Sequence, residues 1–329
     1  MSNWQSKING DPLPWLLEAE NPSVRYFALR ELLDCDETDR DVVAAKAAVM
    51  QSAPVKKILA AEKAAGYWVK PGVGYSPKYK STDWQILFLA EFGADSAQPQ
   101  VQRACEYVLA HAQSANGGFS AYAGAVPSGA VHCLNGNMIW ALVALGCIDE
   151  RVRAALEWLA GAITGVDFDA FNSTVPGPGL KCGANMRQPC AWGAVKALRA
   201  LAAIPKGWKT PRVKKATQMA AELLLSRDPS QADYPYTARV SGEWFKFGFP
   251  LSYTSDVLEA LFALTQAGYG SDPRMKNAAA LVLSKQDTQG RWSMKHSLNG
   301  KMWVDVEEKG KPSKWVTLRA LRVLKAIYP

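Results

Sequence analysis

No stretch of about 18 consecutive apolar residues occurs in this 329-residue chain, so no membrane-spanning helix is expected. The first residues, "MSNWQSKINGDPLPWLLEAENP", lack a basic segment followed by an apolar run and a cleavage site. No secretory leader is expected, and the expected location is cytoplasmic. No C-x2-C pair is present, and six cysteines spread over this length do not make a disulfide framework. There is no zinc-finger, glycine-rich phosphate or RNP-type motif. The net charge of +8 comes from scattered residues rather than a basic run, which argues against nucleic acid as a partner. No two aspartates are adjacent anywhere.

What is present is ample core material, 48% hydrophobic residues, arranged with a period. "FLAEFG" (88–93), "ALVALG" (141–146), "ALRALA" (197–202), "ALFALT" (260–265) and "ALRVLK" (320–325) share one pattern and recur every fifty to sixty residues. "FALRELL" (27–33) stands about one period earlier. Each segment is small and apolar on nearly every side, the mark of a helix buried all round. Between them lie amphipathic helices expected over 100–113, 151–162, 212–227 and 273–286, each with one wet face. Alternating inner and outer helices, about six pairs, build a solenoid or a ring. The all-apolar inner set favours the ring, an all-α fold of α6/α6 toroid type. Residues 1–65 then supply helices that close the ring, and 66–329 supply the repeats. The connections 161–189 and 228–251 are long enough to cover one mouth of the barrel.

The outer helices end in a second pattern. "EKAAGYW" sets Glu62, Gly66 and Trp68, "QSANGGF" sets Gln113, Gly117 and Phe119, and "QDTQGRW" sets Gln286, Gly290 and Trp292 at one spacing. The glycine takes the left-handed conformation that stops a helix, and the aromatic packs back on it. These turns resemble the QW repeats of the squalene/hopene cyclase and protein prenyltransferase superfamily, the terpenoid cyclase-like toroids, from about residue 66 to the C-terminus. The resemblance implies an α6/α6 toroid with a central cavity and an enzyme acting on a hydrophobic, isoprenoid-like substrate. Two of the superfamily's acidic motifs, D-x-D-D and D-D-x-x-D, are absent.

The repeat register places Asp83, Gly136, Trp192, Ser255 and Trp315 around one end of the barrel, with Cys133 and Cys190 just above and Cys182 in the adjoining loop. Three thiols and His132 could hold Zn2+ with an open position. The alternative is that each thiol packs as a small buried hydrophobe. Prenyltransferases hold zinc at this mouth through Asp, Cys and His, a pattern the chain does not reproduce. Candidate proton donors are Asp256 and Asp83, each in the first turn of an inner helix, and Asp305 and Glu307 of "DVEE". For all four the competing roles are helix capping or a solvated turn.

Trp84, Trp192, Trp244, Phe249, Tyr253, Trp303 and Trp315, with Phe171, could line an apolar pocket and stabilise cationic intermediates. Arg187 leads the basic residues that could hold an anionic head group. Lys78, Lys80, Arg239, Lys246, Lys295, Lys301 and Lys314 stand on the same loops. The expected partner is thus a hydrophobic small molecule with an anionic end, with peripheral membrane contact compatible. A non-catalytic toroid that binds a hydrophobic ligand or serves as a scaffold, and a zinc peptide cyclase of lanthionine type, are the other readings.

Overall fold

The computed structural model describes residues 3–169, 175, 177–235 and 242–329. Phe171 and Arg239 lie outside the described residues. The chain is mainly helical, and the described strand pairing is a two-residue antiparallel ladder, Lys181–Cys182 with Gln188–Pro189. No helix among the described residues is long and apolar enough to cross a membrane.

Five helices bury almost their whole circumference: α5 (Thr82–Glu91), α7 (His132–Ala144), α9 (Ala191–Ala203), α11 (Val257–Gln266) and α13 (Lys314–Ile327). A sixth inner segment is α2 (Pro22–Phe27) continued by a π turn, Ala28–Leu32. Outside them lie α3 (Arg40–Val49), α4 (Ala53–Ala60), α6 (Pro99–His111), α8 (Glu150–Thr164), α10 (Pro211–Leu225) and α12 (Lys276–Ser284). A short α1 (Leu13–Leu16) packs on α13. Local chemistry sets the starts. Asn21, Asp149, Thr210, Asp256 and Ser313 each accept a bond from a backbone N–H of the first turn.

Neighbours follow chain order. α5 packs on α7, α7 on α9, α9 on α11, α11 on α13, and α13 on α2 with its π turn. The closest approach is between α7 and α9. A Cβ on Gly136 would stand 2.4 Å from the backbone of Lys196, so only glycine admits this contact.

The three glycine turns join successive outer elements. Gly66, Gly117 and Gly290 all have positive φ. The Glu62 carboxylate pairs with Arg103 of α6 at 2.9 Å. Gln113 Nε2 donates to the carbonyl of Arg151 at the start of α8 at 2.6 Å. Gln286 donates to the carbonyl of Lys7 at 3.1 Å and accepts from the Asn9 N–H at 2.8 Å, so the last turn reaches the first residues of the chain. The Trp68 and Trp292 indoles return to the carbonyls of Ile58 and Val282, both at 2.7 Å.

The inner helices are not purely apolar. Lys196 Nζ lies 2.7 and 2.6 Å from the two carboxylate oxygens of Glu259, and both side chains are fully buried. Arg199 donates to Glu91 at 2.6 Å and to Glu259 at 3.3 Å, and stacks over Trp140 at 3.5 Å. Arg319 stands 3.8 Å from Glu91, and Arg322 pairs with Glu31 at 2.7 Å. These charges link α5, α9, α11, α13 and the π turn across the centre.

Gly136→Ala is expected to cost about 1–3 kcal/mol or more by forcing α7 and α9 apart. Gly207→Ala, where an added Cβ meets nothing within 4 Å, is the control and should stay within about 0.5 kcal/mol of the parent. Urea midpoints at constant slope measure both.

Candidate functional site

The loops that precede the inner helices gather at one end of the molecule, and there Asp83 is enclosed. It lies in the first turn of α5, is 2% exposed, and neither carboxyl oxygen has a hydrogen-bond partner. Its own backbone N–H is tied to the carbonyl of Gly74 at 3.2 Å, which seats the carboxyl under the 72–80 loop. Burial without a counter-charge pushes its pKa well above the ordinary carboxylate range, so the acid form is favoured.

Aromatic rings surround this acid. Tyr75 and Tyr79 stand 5.3 and 5.2 Å from the Trp84 ring, and Tyr253 stands 6.4 Å from it. The Trp84 indole is fixed by the Tyr75 carbonyl at 2.8 Å. Asp83, Tyr75, Trp84, Cys133 and Tyr253 share a small enclosed pocket of about 10 Å³. Burial first, and then the neighbouring Cys133, Tyr253 and Asp83, raise the Tyr75 phenol above its ordinary value.

Beyond Tyr253 lies a groove of about 490 Å³, bordered by Tyr79, Trp192 and Tyr253 and by Lys246, Lys295, Lys301 and Lys309. Glu243 pairs with Lys246 at 2.7 Å and with His296 at 2.9 Å. Among the described residues, Lys295, Lys301 and Lys309 have no carboxylate within 4.0 Å, so the groove carries uncompensated positive charge. Lys78 lies 4.3 Å over the Tyr253 ring and adds to it. Tyr253 therefore borders both the acidic pocket and the basic groove.

Several residues named from sequence sit elsewhere. Asp256 is buried, but its oxygens accept from the N–H groups of Gly248 (3.0 Å) and Glu259 (2.8 Å), so it caps α11. Burial pushes its pKa up to about 6, with Arg319 opposing. Asp305 is exposed and accepts from the Gly300 N–H at 2.7 Å, closing a turn. Glu307 bonds the Ser313 hydroxyl and the Lys314 N–H, tying the preceding loop to the start of α13. Trp244 is buried against Tyr234 and donates to the Pro229 carbonyl at 2.8 Å. Trp303 is held by the Lys80 carbonyl at 2.9 Å on the surface. Phe249 and Trp315 stack at 3.9 Å and line neither the Asp83 pocket nor the groove but a separate cavity with Glu91 and Arg199. Arg187 is exposed and does not line the groove.

The thiols converge. Cys190 donates to Cys182, which holds Cys182 down to about 6 and pushes Cys190 well above its ordinary value. Cys133 lies close enough to Cys182 that burial and this neighbour raise it to about 11. His132 turns the other way. Its ring bonds the Ala162 backbone and lies 6.3 Å from Trp158 on α8, and burial lowers its pKa to about 4. Among the described residues no group of three or more His, Cys, Asp or Glu is arranged to hold a metal ion. His132 thus stands apart from the three thiols named with it as possible ligands.

The places of Lys309 in the groove, of Tyr75 beside Asp83 and of Tyr79 between Trp84 and the groove were missed by sequence reasoning. The one cue was the "YSPKYKSTDW" run, in which two tyrosines precede Asp83 within one loop.

Asp83 gives a pH signature. In the folded state it keeps a proton that the unfolded chain releases near 3.8, so it costs stability as pH rises above that value. Asp83→Asn should gain stability relative to the parent between about pH 4 and about pH 7. Urea unfolding across that range checks this, and a difference independent of pH would contradict it.

No protein-family model matches the chain, and no curated protein matches it. Among solved structures it is similar to the type II terpene cyclase MstE from Scytonema in its apo form, at 16% identity and a TM-score of 0.45, over 93% of this chain and 87% of that one.

Proposed function

We propose that the protein is an enzyme that cyclises a hydrophobic, isoprenoid-like substrate by protonating it, with Asp83 as the acid. The observation that carries this reading is the Asp83 carboxyl: buried, without a hydrogen-bond partner, and surrounded by Tyr75, Trp84 and Tyr253. A carboxyl kept neutral is a general acid, and one with no internal partner is free to donate outward. The fold that goes with this reading is a closed α6/α6 toroid in a single domain, its first 65 residues completing the ring.

The chemistry balances without a co-reactant. The Asp83 O–H bond breaks and the alkene π pair takes the proton, leaving a carbocation on the more substituted carbon. A second alkene in the same chain attacks that carbon and closes a ring. Loss of a proton to water ends the sequence, and Asp83 is reprotonated from solvent. The product is an isomer of the substrate. The faces of Trp84, Tyr75 and Tyr253 stabilise the travelling cation by about 0.5–2 kcal/mol per contact. An anionic head group suits the lysines of the groove, and the tail enters past Tyr253, the ring shared by both spaces. The pocket of about 10 Å³ requires this ring to swing aside.

The closed pocket also supports a second reading, a carrier that takes up a hydrophobic ligand without turnover. The two separate on product. C10 to C20 polyprenyl diphosphates incubated with the protein in D2O should yield cyclic isomers carrying one solvent deuteron, by mass spectrometry. Asp83→Asn should lower the rate by about 10²–10⁴-fold while remaining folded. Binding without any product supports the carrier, and an Asp83→Asn variant that keeps its rate removes Asp83 as the acid.

A further inference from the structure

Apart from the thiols at the mouth, the fold brings a second pair of cysteines together. Cys105 sits in α6, on the face that also buries Val101, Ala104 and Val108. Cys147 follows α7, and the end of that helix fixes its place. Gly146 takes a positive φ, and the N–H of Cys147 turns back to the carbonyl of Leu142 at 2.9 Å, so the chain reverses beneath α7. The Cys105 thiol donates to the sulphur of Cys147, which itself lies 3.7 Å from the Leu145 carbonyl.

The two thiols differ in access. Both border an open surface pocket of about 480 Å³, shared with Glu106, Asp149 and Arg151. Cys147 is half-buried there, between the exposed Gly146 and Ile148. Cys105 is only 1% exposed. A small solute therefore reaches Cys147, and Cys105 is reached chiefly through Cys147. The pocket is not a free anion site, because Arg151 is held by Glu106 and by Asp149, both at 2.7 Å. What remains unexplained in it is the pair of sulphurs.

We infer that Cys147 is a hydroperoxide-reactive thiol whose oxidation Cys105 resolves into a disulfide. The Cys147 thiolate attacks one peroxide oxygen: an S–O bond forms, the O–O bond breaks, and hydroxide leaves and takes a proton. The sulphur is oxidised to sulfenic acid and the peroxide is reduced. The Cys105 sulphur then attacks the Cys147 sulphur, the S–S bond forms, the S–O bond breaks, and the Cys105 proton leaves with the oxygen as water. One peroxide and two thiols give one disulfide and two waters. The environment suits these roles. The bond from Cys105 is the largest influence on Cys147 and draws its pKa below the ordinary value with help from Arg151, while burial, Asp149 and Glu106 oppose. The same bond, with burial, pushes Cys105 up, so the inner thiol keeps its proton until the outer one is oxidised. The bridge ties α6 to the end of α7.

The test treats the reduced full-length protein with hydrogen peroxide near neutral pH and maps its peptides without reduction. A Cys105–Cys147 link should form while circular dichroism stays native, dithiothreitol should reverse it, and the oxidised protein should unfold at higher urea than the reduced one. In Cys105→Ser, which lacks the resolving thiol, dimedone should label Cys147 about tenfold or more above the parent. In Cys147→Ser, Cys105 should stay unlabelled. The parent map decides the matter even where a variant does not fold. A link that forms only after unfolding overturns the inference, as does peroxide that bridges Cys182 and Cys190 alone or labels Cys105 before Cys147. The readout needs neither an isoprenoid substrate nor Asp83, so its outcome is separate from that of the cyclase reading.

Discussion

The pairing of Lys196 and Arg199 with Glu259 and Glu91 is the constraint on which the rest of the molecule depends. Isolated charges at these depths would be prohibitively expensive, and removing one member of such a set leaves its partner buried and unpaired. Burial pushes Glu259 up, but Lys196, Arg199 and Arg319 outweigh it and hold it below the ordinary range. Lys196 moves down from its ordinary value by burial, with Glu259 opposing. Apolar inner helices could slide past one another with little penalty, whereas the bonds from α9 to α5 and α11 are directional. They fix which helices are neighbours and at what height. The backbone contact at Gly136 sets the α7–α9 spacing beside them.

That belt of charge divides the interior. On one side lies the mouth with Asp83, Tyr253 and the lysine groove; on the other lies a cavity lined by Arg199, Arg319, Arg322, Glu31 and Glu91. The two buried aspartates on the inner helices show how environment assigns roles to like groups. Asp256 spends both oxygens on backbone N–H groups and caps its helix. Asp83 is enclosed by rings and bonded to nothing, so its proton is available. Residue type and position in the repeat are nearly the same for both, and the loop that folds over each makes the difference.

Much of the helical order was legible in the chain. The recurrence of "FLAEFG", "ALVALG", "ALRALA", "ALFALT" and "ALRVLK" located α5, α7, α9, α11 and α13, and the amphipathic segments matched α6, α8, α10 and α12 to within a few residues. Burial on all sides leaves an unmistakable apolar signature. The same strings also contain Glu91, Arg199 and Arg322, at or within one residue of the same repeat position, and reading them as apolar hid the central charges. A charge recurring in register within buried segments is the cue that was available. The site was less legible. Cys133 and Asp83 did meet, as the register implied, but His132 faces α8 because its neighbour on the helix, Cys133, takes the inward position. Whether an acid at a helix start is capped or bare depends on loop residues such as Gly74 and Gly248, which no periodicity reports.

The account stands or falls on the protonation state of Asp83. Infrared difference spectra of the parent and Asp83→Asn, recorded near pH 7, isolate this one carboxyl. A protonated C=O stretch lost in the variant is the predicted result, and an ionised carboxylate signal in its place would contradict the proposal that Asp83 is the proton donor.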